Sequence, residues 1–163
     1  WGEWSNPMSF TISPSYPSNL LGLWGWSDFE SGRRMVWVLD IAIDKTNNWL
    51  YAADSWSGRI LKFDLEGNLL LTFGDCCGSN DEYLYYPRGL AVDTEGNILV
   101  ADSNGRQIKK FSSEGVFIST HGIWGEGDYQ MKSPVDIAID PEGNYYIFDE
   151  DLFRIQKYNS NWN

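Results

Sequence analysis

Three stretches of this chain carry one pattern. The first reads Leu39-Asp40-Ile41-Ala42-Ile43-Asp44, then Leu50-Tyr51-Ala52-Ala53-Asp54, then Arg59-Ile60-Leu61-Lys62-Phe63. The second reads Gly89-Leu90-Ala91-Val92-Asp93, then Gly96-Asn97-Ile98-Leu99-Val100-Ala101-Asp102, then Gln107-Ile108-Lys109-Lys110-Phe111. The third reads Asp136-Ile137-Ala138-Ile139-Asp140, then Gly143-Asn144-Tyr145-Tyr146-Ile147-Phe148-Asp149, then Arg154-Ile155-Gln156-Lys157-Tyr158. Ile41, Leu90 and Ile137 hold the same place in each, 49 and 47 residues apart. A fixed period of this size means an array of small structural units.

Each unit reads as short strands separated by turn-formers. Glu95-Gly96-Asn97 and Glu142-Gly143-Asn144 suit tight hairpins, because Gly and Asn tolerate positive φ. Glu66-Gly67-Asn68 and Ser113-Glu114-Gly115 mark the next hairpin. A fourth run closes the first two units, at residues 68–74 and 116–122, before an aromatic connection that ends near Pro87 or Pro134. Four strands per unit at this period predict an all-β fold of β-propeller blades, each with four antiparallel strands and its first strand innermost.

These elements resemble the NHL-repeat family of β-propellers. The resemblance rests on a recurring Pro-x-x-Φ-Ala-Φ-Asp, Gly-Asn-Φ-Φ-Val-Ala-Asp, Arg-Φ-x-Lys-Phe and x-Phe-Gly order (Φ apolar), most complete from Pro87 to Gly122. Val38 stands where the first unit would have its Pro. The resemblance implies six blades in the commonest form and says far more about fold than about function.

One further fourth strand lies outside the three units. Ser18-Asn19-Leu20-Leu21-Gly22-Leu23-Trp24-Gly25 aligns without a gap on Gly67-Asn68-Leu69-Leu70-Leu71-Thr72-Phe73-Gly74. The third unit has three strands and lacks this one. Residues 18–163 therefore read as three blades, with the fourth strand of the last supplied by 18–25. Propellers have about four to eight blades, so three are not expected to close alone. The expectation is assembly with other copies: Leu20, Leu21, Leu23 and Trp24 pair with the edge carrying Arg154, Ile155, Lys157 and Tyr158. Two copies give a dimeric ring; an arrangement that does not close gives a filament. The alternative is that the chain is a piece of a longer polypeptide. Residues 1–17 read either as an extension lying on another subunit or as a degenerate blade.

Composition narrows the classes. No run approaches the ~18 apolar residues of a membrane-spanning helix. The net charge of −11, with 23 acidic against 12 basic residues, argues against nucleic acid, whose binding needs a basic footprint. The basic residues concentrate in the third strands (Arg59, Lys62, Lys109, Lys110, Arg154, Lys157), where alternation with Ile and Phe predicts solvent-facing positions. The chain begins at Trp1 without Met, which reads as a processed or trimmed product. An extracellular or cell-surface location is the matching expectation.

The chemistry on offer is sparse. The single histidine, His121, occupies the register of Phe73 and reads as a half-buried aromatic substitute. Asp44, Asp93 and Asp140, and Asp54, Asp102 and Asp149, recur before turns, where carboxylates cap backbone amides; a carboxylate ring attracting Ca²⁺ at the channel mouth is the sharper alternative for the second set. Adjacent Cys76 and Cys77 allow a vicinal disulfide, a bond to another chain, or plain thiols. Trp26, Trp56, Tyr85, Trp124 and Tyr129 lie in loops and are candidate contacts for a protein or saccharide ligand. No catalytic, metal or cofactor set is predicted. The expected function is a non-catalytic propeller module for self-assembly and protein binding. The alternative is a secreted propeller enzyme, lyase- or lactonase-like, or a carbohydrate-binding propeller, with its site in the central channel.

Overall fold

The computed structural model of the protein describes residues 35–76 and 80–163. Among them every regular element is a strand. The expectations placed on 1–17, on Leu20, Leu21, Leu23, Trp24 and Trp26, and on Cys77 lie outside the described residues.

The first blade is an antiparallel sheet of β1 (Val38–Asp44), β2 (Trp49–Asp54), β3 (Arg59–Asp64) and β4 (Leu69–Phe73), paired in chain order. The second repeats it with β5 (Pro87–Val92), β6 (Ile98–Asp102), β7 (Gln107–Phe111) and β8 (Phe117–His121). A short parallel pair, β9 (Ile123–Trp124) and β10 (Gln130–Met131), lies in the connection that follows. Among the described residues the third blade has three strands: β11 (Pro134–Ile139), β12 (Tyr145–Asp149) and β13 (Arg154–Tyr158).

The hairpins follow from their turn residues. In the second blade the Gly96 N–H donates to the Asp93 carbonyl at 3.0 Å, and Gly96 sits at φ +83°. Asp93 Oδ1 also accepts the N–H groups of Glu95 and Asn97. Asp140 and Asn144 repeat the arrangement with Gly143. In the first blade Asn48 takes the positive φ (58°), which asparagine tolerates better than most side chains. Asp44, Asp93 and Asp140 are thus turn-capping residues.

Blade stacking makes the core. Tyr51, Ala53 and Ile60 of the first blade meet Leu90, Ile98, Val100 and Phe111 of the second. The opposite face of the second, Ala91, Leu99, Ala101 and Ile108, meets Ile137, Tyr145, Ile147 and Tyr158 of the third. Full burial of each large apolar side chain contributes roughly 1.5–3 kcal/mol, so these two interfaces dominate the stability of the stack. The first strands β1, β5 and β11 adjoin one another from blade to blade, which places them on the inner side.

Stacking also corrects the reading of the third-strand cations. Lys62 and Lys109 are buried, 4% and 3% exposed. Lys62 Nζ lies 3.3 Å from the Trp49 ring centroid and donates to the Ser113 carbonyl at 2.8 Å. Lys109 donates to the Tyr83 carbonyl and lies 3.5 Å from Asp102 Oδ2. Alternation along a strand marks a solvent face only when one face is wet, and an interior blade is covered on both.

Candidate functional site

In each blade the chain passes from the inter-blade connection into the first strand and returns along the second. The connection and the loop between second and third strands therefore share one end. Buried aspartates fasten them together. Asp54 Oδ1 accepts the Val36 and Trp37 N–H groups, both at 3.2 Å. Asp102 Oδ1 accepts Tyr85 N–H at 2.6 Å, and the Asp149 carboxylate accepts Lys132 and Ser133 N–H at 2.8 and 3.1 Å. All three are fully buried. They cap backbone and do not form a carboxylate ring.

The inner strands begin at this end, and each begins with a register shift: Val38 to Asp40, Pro87 to Leu90, and Pro134 to Asp136. Bulges of this kind re-aim side chains and recur beside active sites. The shift sets the Asp40 carboxylate between two blades. Its Oδ1 accepts Ile41 N–H at 2.8 Å, and its Oδ2 accepts Leu90 N–H of the second blade at 2.7 Å. Burial pushes this carboxyl above the ordinary aspartate range; the two N–H groups oppose the shift, and the negative charge of Asp136 adds to it. Asp136 Oδ1 likewise accepts Ile137 N–H at 2.8 Å, and the residue is exposed.

Gly89 stands at the equivalent place in the second blade. A Cβ there would lie 2.7 Å from Asp136 Cα and 2.8 Å from the Val135 carbonyl oxygen. Only glycine lets β5 approach β11 this closely. The preceding Arg88 reaches across to Glu150 of the third blade and forms an ion pair. Asp40 and Asp136 thus stand within electrostatic reach of each other where the inner strands start, and the Arg88–Glu150 ion pair ties the second blade to the third. Among the described residues no group of three His, Cys, Asp or Glu side chains converges as a metal site. Ca²⁺ takes six to eight oxygens, and Asp40 and Asp136 alone do not supply such a set.

Aromatics rim the same end. Trp37 stacks on Trp56 with ring centroids 6.3 Å apart and meets Tyr86 edge-on at 6.1 Å. Trp56 is 65% exposed. Tyr85 is exposed nearby, its carbonyl accepting Asn104 N–H. Trp124 faces Arg106 at 5.7 Å, in a groove also lined by Ser103, Lys132 and Asp151. Tyr129 lies apart from these, 6.0 Å from the Tyr158 ring.

The remaining expected residues fall away from the mouth. His121 is on β8, the outermost strand of its blade; its ring stacks on Trp162 at 3.8 Å, and Nε2 is 3.0 Å from Ser119 Oγ. Burial, then Lys110, hold its pKa below the ordinary histidine value. Cys76 is half-buried in the first connection. Arg154 donates to the carbonyls of Glu126, Gly127 and Gln130 and so clamps the β9–β10 loop. Tyr158 belongs to the core between the second and third blades. Ile155 and Lys157 point from the other face of β13 and are exposed. Arg88 and Glu150 carry no signal in the repeat, because their pairing depends on which loop the third blade brings to β5.

Known proteins bear out the propeller. A streptogramin B lyase structure matches with TM-score 0.61 at 16% identity, covering 85% of this chain and 41% of that one. A gluconolactonase from Xanthomonas campestris matches with TM-score 0.55 at 18% identity, covering 69% and 35%. A luciferin-regenerating enzyme matches with TM-score 0.53 at 21% identity, covering 71% and 38%. At these identities the similarity shows the fold, and the chain spans about two fifths of the lyase. No curated protein sequence matches the chain. The resemblance to NHL repeats stands at the level of the propeller blade. The sequence profile of the SMP-30/Gluconolactonase/LRE-like region matches residues 40–122. That family match overturns the expected non-catalytic module and the expectation of no enzymatic role, which leaned on the single histidine. The chain belongs to the SMP-30/gluconolactonase/LRE-like family.

Proposed function

We propose that this chain supplies three blades of a propeller enzyme, lactonase- or lyase-like, whose reacting groups sit where the inner strands begin. The observation that carries this reading is the Asp40 carboxyl: half-buried, pushed up in pKa, and electrostatically coupled to Asp136. A carboxyl moved toward the working pH is suited to take a proton and return it. In a lactonase, Asp40 takes a proton from water as the water oxygen adds to the lactone carbonyl. The carbonyl oxygen takes up the resulting negative charge. The carbonyl then re-forms, the ring C–O bond breaks, and the leaving alkoxide takes the proton back from Asp40. In a lyase the same base takes a carbon-bound proton. The names of the family and of its lyase and gluconolactonase neighbours support this class of reaction.

The test is turnover by the purified full chain on a panel of lactones, gluconolactone among them, and on a streptogramin B. Saturable ring-opening above the spontaneous rate is expected on at least one member. A panel without turnover contradicts the reading.

A further inference from the structure

The turn that leads the second strand into the third closes the same way in each blade. The N–H groups of Gly58, Arg106 and Phe153 donate to the carbonyls of Ser55, Ser103 and Glu150, and the three donor residues hold positive φ, at 62°, 61° and 51°. Glycine adopts this conformation freely. A residue with a side chain is strained there, and strained residues of this kind gather at ligand sites. The first blade has the glycine; the second has an arginine.

Arg106 is exposed, and its guanidinium lies 5.7 Å from the Trp124 ring centroid. Among the described residues Glu126 pairs with Lys132 and Glu150 with Arg88, and no carboxylate pairs with Arg106. The chain has 23 acidic against 12 basic residues, so carboxylates are not scarce. Arg106 and Trp124 line one groove of about 400 Å³, together with Lys132, Ser133 and Asp151. That volume suits a small molecule. The walls are held in place. Trp124 ends β9, which pairs with β10, and the Lys132 and Ser133 N–H groups donate to the buried Asp149 carboxylate at 2.8 and 3.1 Å. Trp124 is still 65% exposed.

We propose that this groove binds a small organic anion that carries one carboxylate on a flat ring. The ring packs on the Trp124 indole, and the carboxylate accepts two parallel hydrogen bonds from the Arg106 guanidinium. Lys132 is already paired with Glu126, and Asp151 brings a like charge to the lining. The groove therefore suits one negative group and disfavours a polyanion. Asp40 is not among the residues that line it, so the inference is independent of the reaction at that carboxyl.

Calorimetric titration of the full chain with benzoate tests it. Saturable binding is expected, with a Kd of about 1 mM or tighter. Benzamide, a neutral analogue of the same shape, should bind about tenfold more weakly or worse. Arg106→Gly installs the residue that the first blade uses at this turn, so circular dichroism and thermal stability should hold while benzoate affinity falls about tenfold or more. Arg106→Lys keeps the charge without the fork and should fall between the two. Trp124→Ala, on a separate segment, should weaken benzoate as well. Asp40→Asn should bind it as the wild type does. No saturation by about 10 mM benzoate, equal binding of benzamide, or wild-type affinity in a folded Arg106→Gly or Trp124→Ala protein overturns the proposal. So does loss of binding in Asp40→Asn, which would put the anion at the other site.

Discussion

Asp40 Oδ2 accepts the Leu90 backbone N–H at 2.7 Å, so one carboxylate of the first blade holds the inner strand of the second. The same group is pushed above its ordinary pKa, chiefly by burial. A carboxyl raised in the fold binds its proton more tightly there than in the unfolded chain. Stability from this group is therefore lost as pH rises from the ordinary value of about 3.9 through the folded value. Thermal melts of wild type and Asp40→Asn across acidic to neutral pH should show the wild type losing ground with rising pH, then levelling.

Gly89→Ala places a methyl group against backbone atoms of Asp136 and Val135, which cannot rotate away. The substitution should cost about 1–3 kcal/mol, as overpacking does. Urea unfolding measures it. Gly96→Ala, at a positive-φ turn whose added Cβ meets nothing closer than 3.7 Å, separates backbone strain from this steric cost.

Lys62 and Lys157 share a register and differ in burial. Lys62 is 4% exposed and packed on Trp49, whereas Lys157 is exposed. Lys62→Ala should destabilise by roughly 1–3 kcal/mol, through the lost apolar stem, the Trp49 contact and the Ser113 carbonyl left without its donor. Lys157→Ala should stay within about 0.5 kcal/mol. Equal costs in denaturant unfolding would count against this account of the blade faces.

His121 titrates below the ordinary histidine value because burial disfavours its charged form. The lowered pKa means stability is lost as pH falls through the unfolded value of about 6.5 toward the folded one. Trp162→Ala removes the stacked ring at 3.8 Å and should move the His121 pKa back up in an NMR titration. His121→Phe should abolish that part of the pH dependence.

Blades, strand limits and turn aspartates were legible because each rests on local rules: alternation, Gly or Asn at positive φ, and Asp before a turn. Lys62 was misread because its acceptor, the Ser113 carbonyl, belongs to another blade 51 residues away, and Lys109 because the preceding connection brings the Tyr83 carbonyl over it. The mouth was hidden for a related reason. Asp40 and Asp136 look like ordinary members of a strand until the register shifts at Val38–Asp40 and Pro134–Asp136 turn them toward the inner strands' common end. Arg88 and Glu150 are 62 residues apart and no periodicity joins them.

The central claim is that the Asp40 carboxyl moves the proton in a reaction at the mouth. Steady-state kinetics of Asp40→Asn against wild type, on whichever lactone or streptogramin the full chain turns over, tests it most directly. Loss of general acid–base work should lower kcat by about 100-fold or more, with KM little changed. His121→Phe, measured beside it, should leave kcat unaltered. A natively folded Asp40→Asn protein that keeps wild-type turnover would contradict the claim.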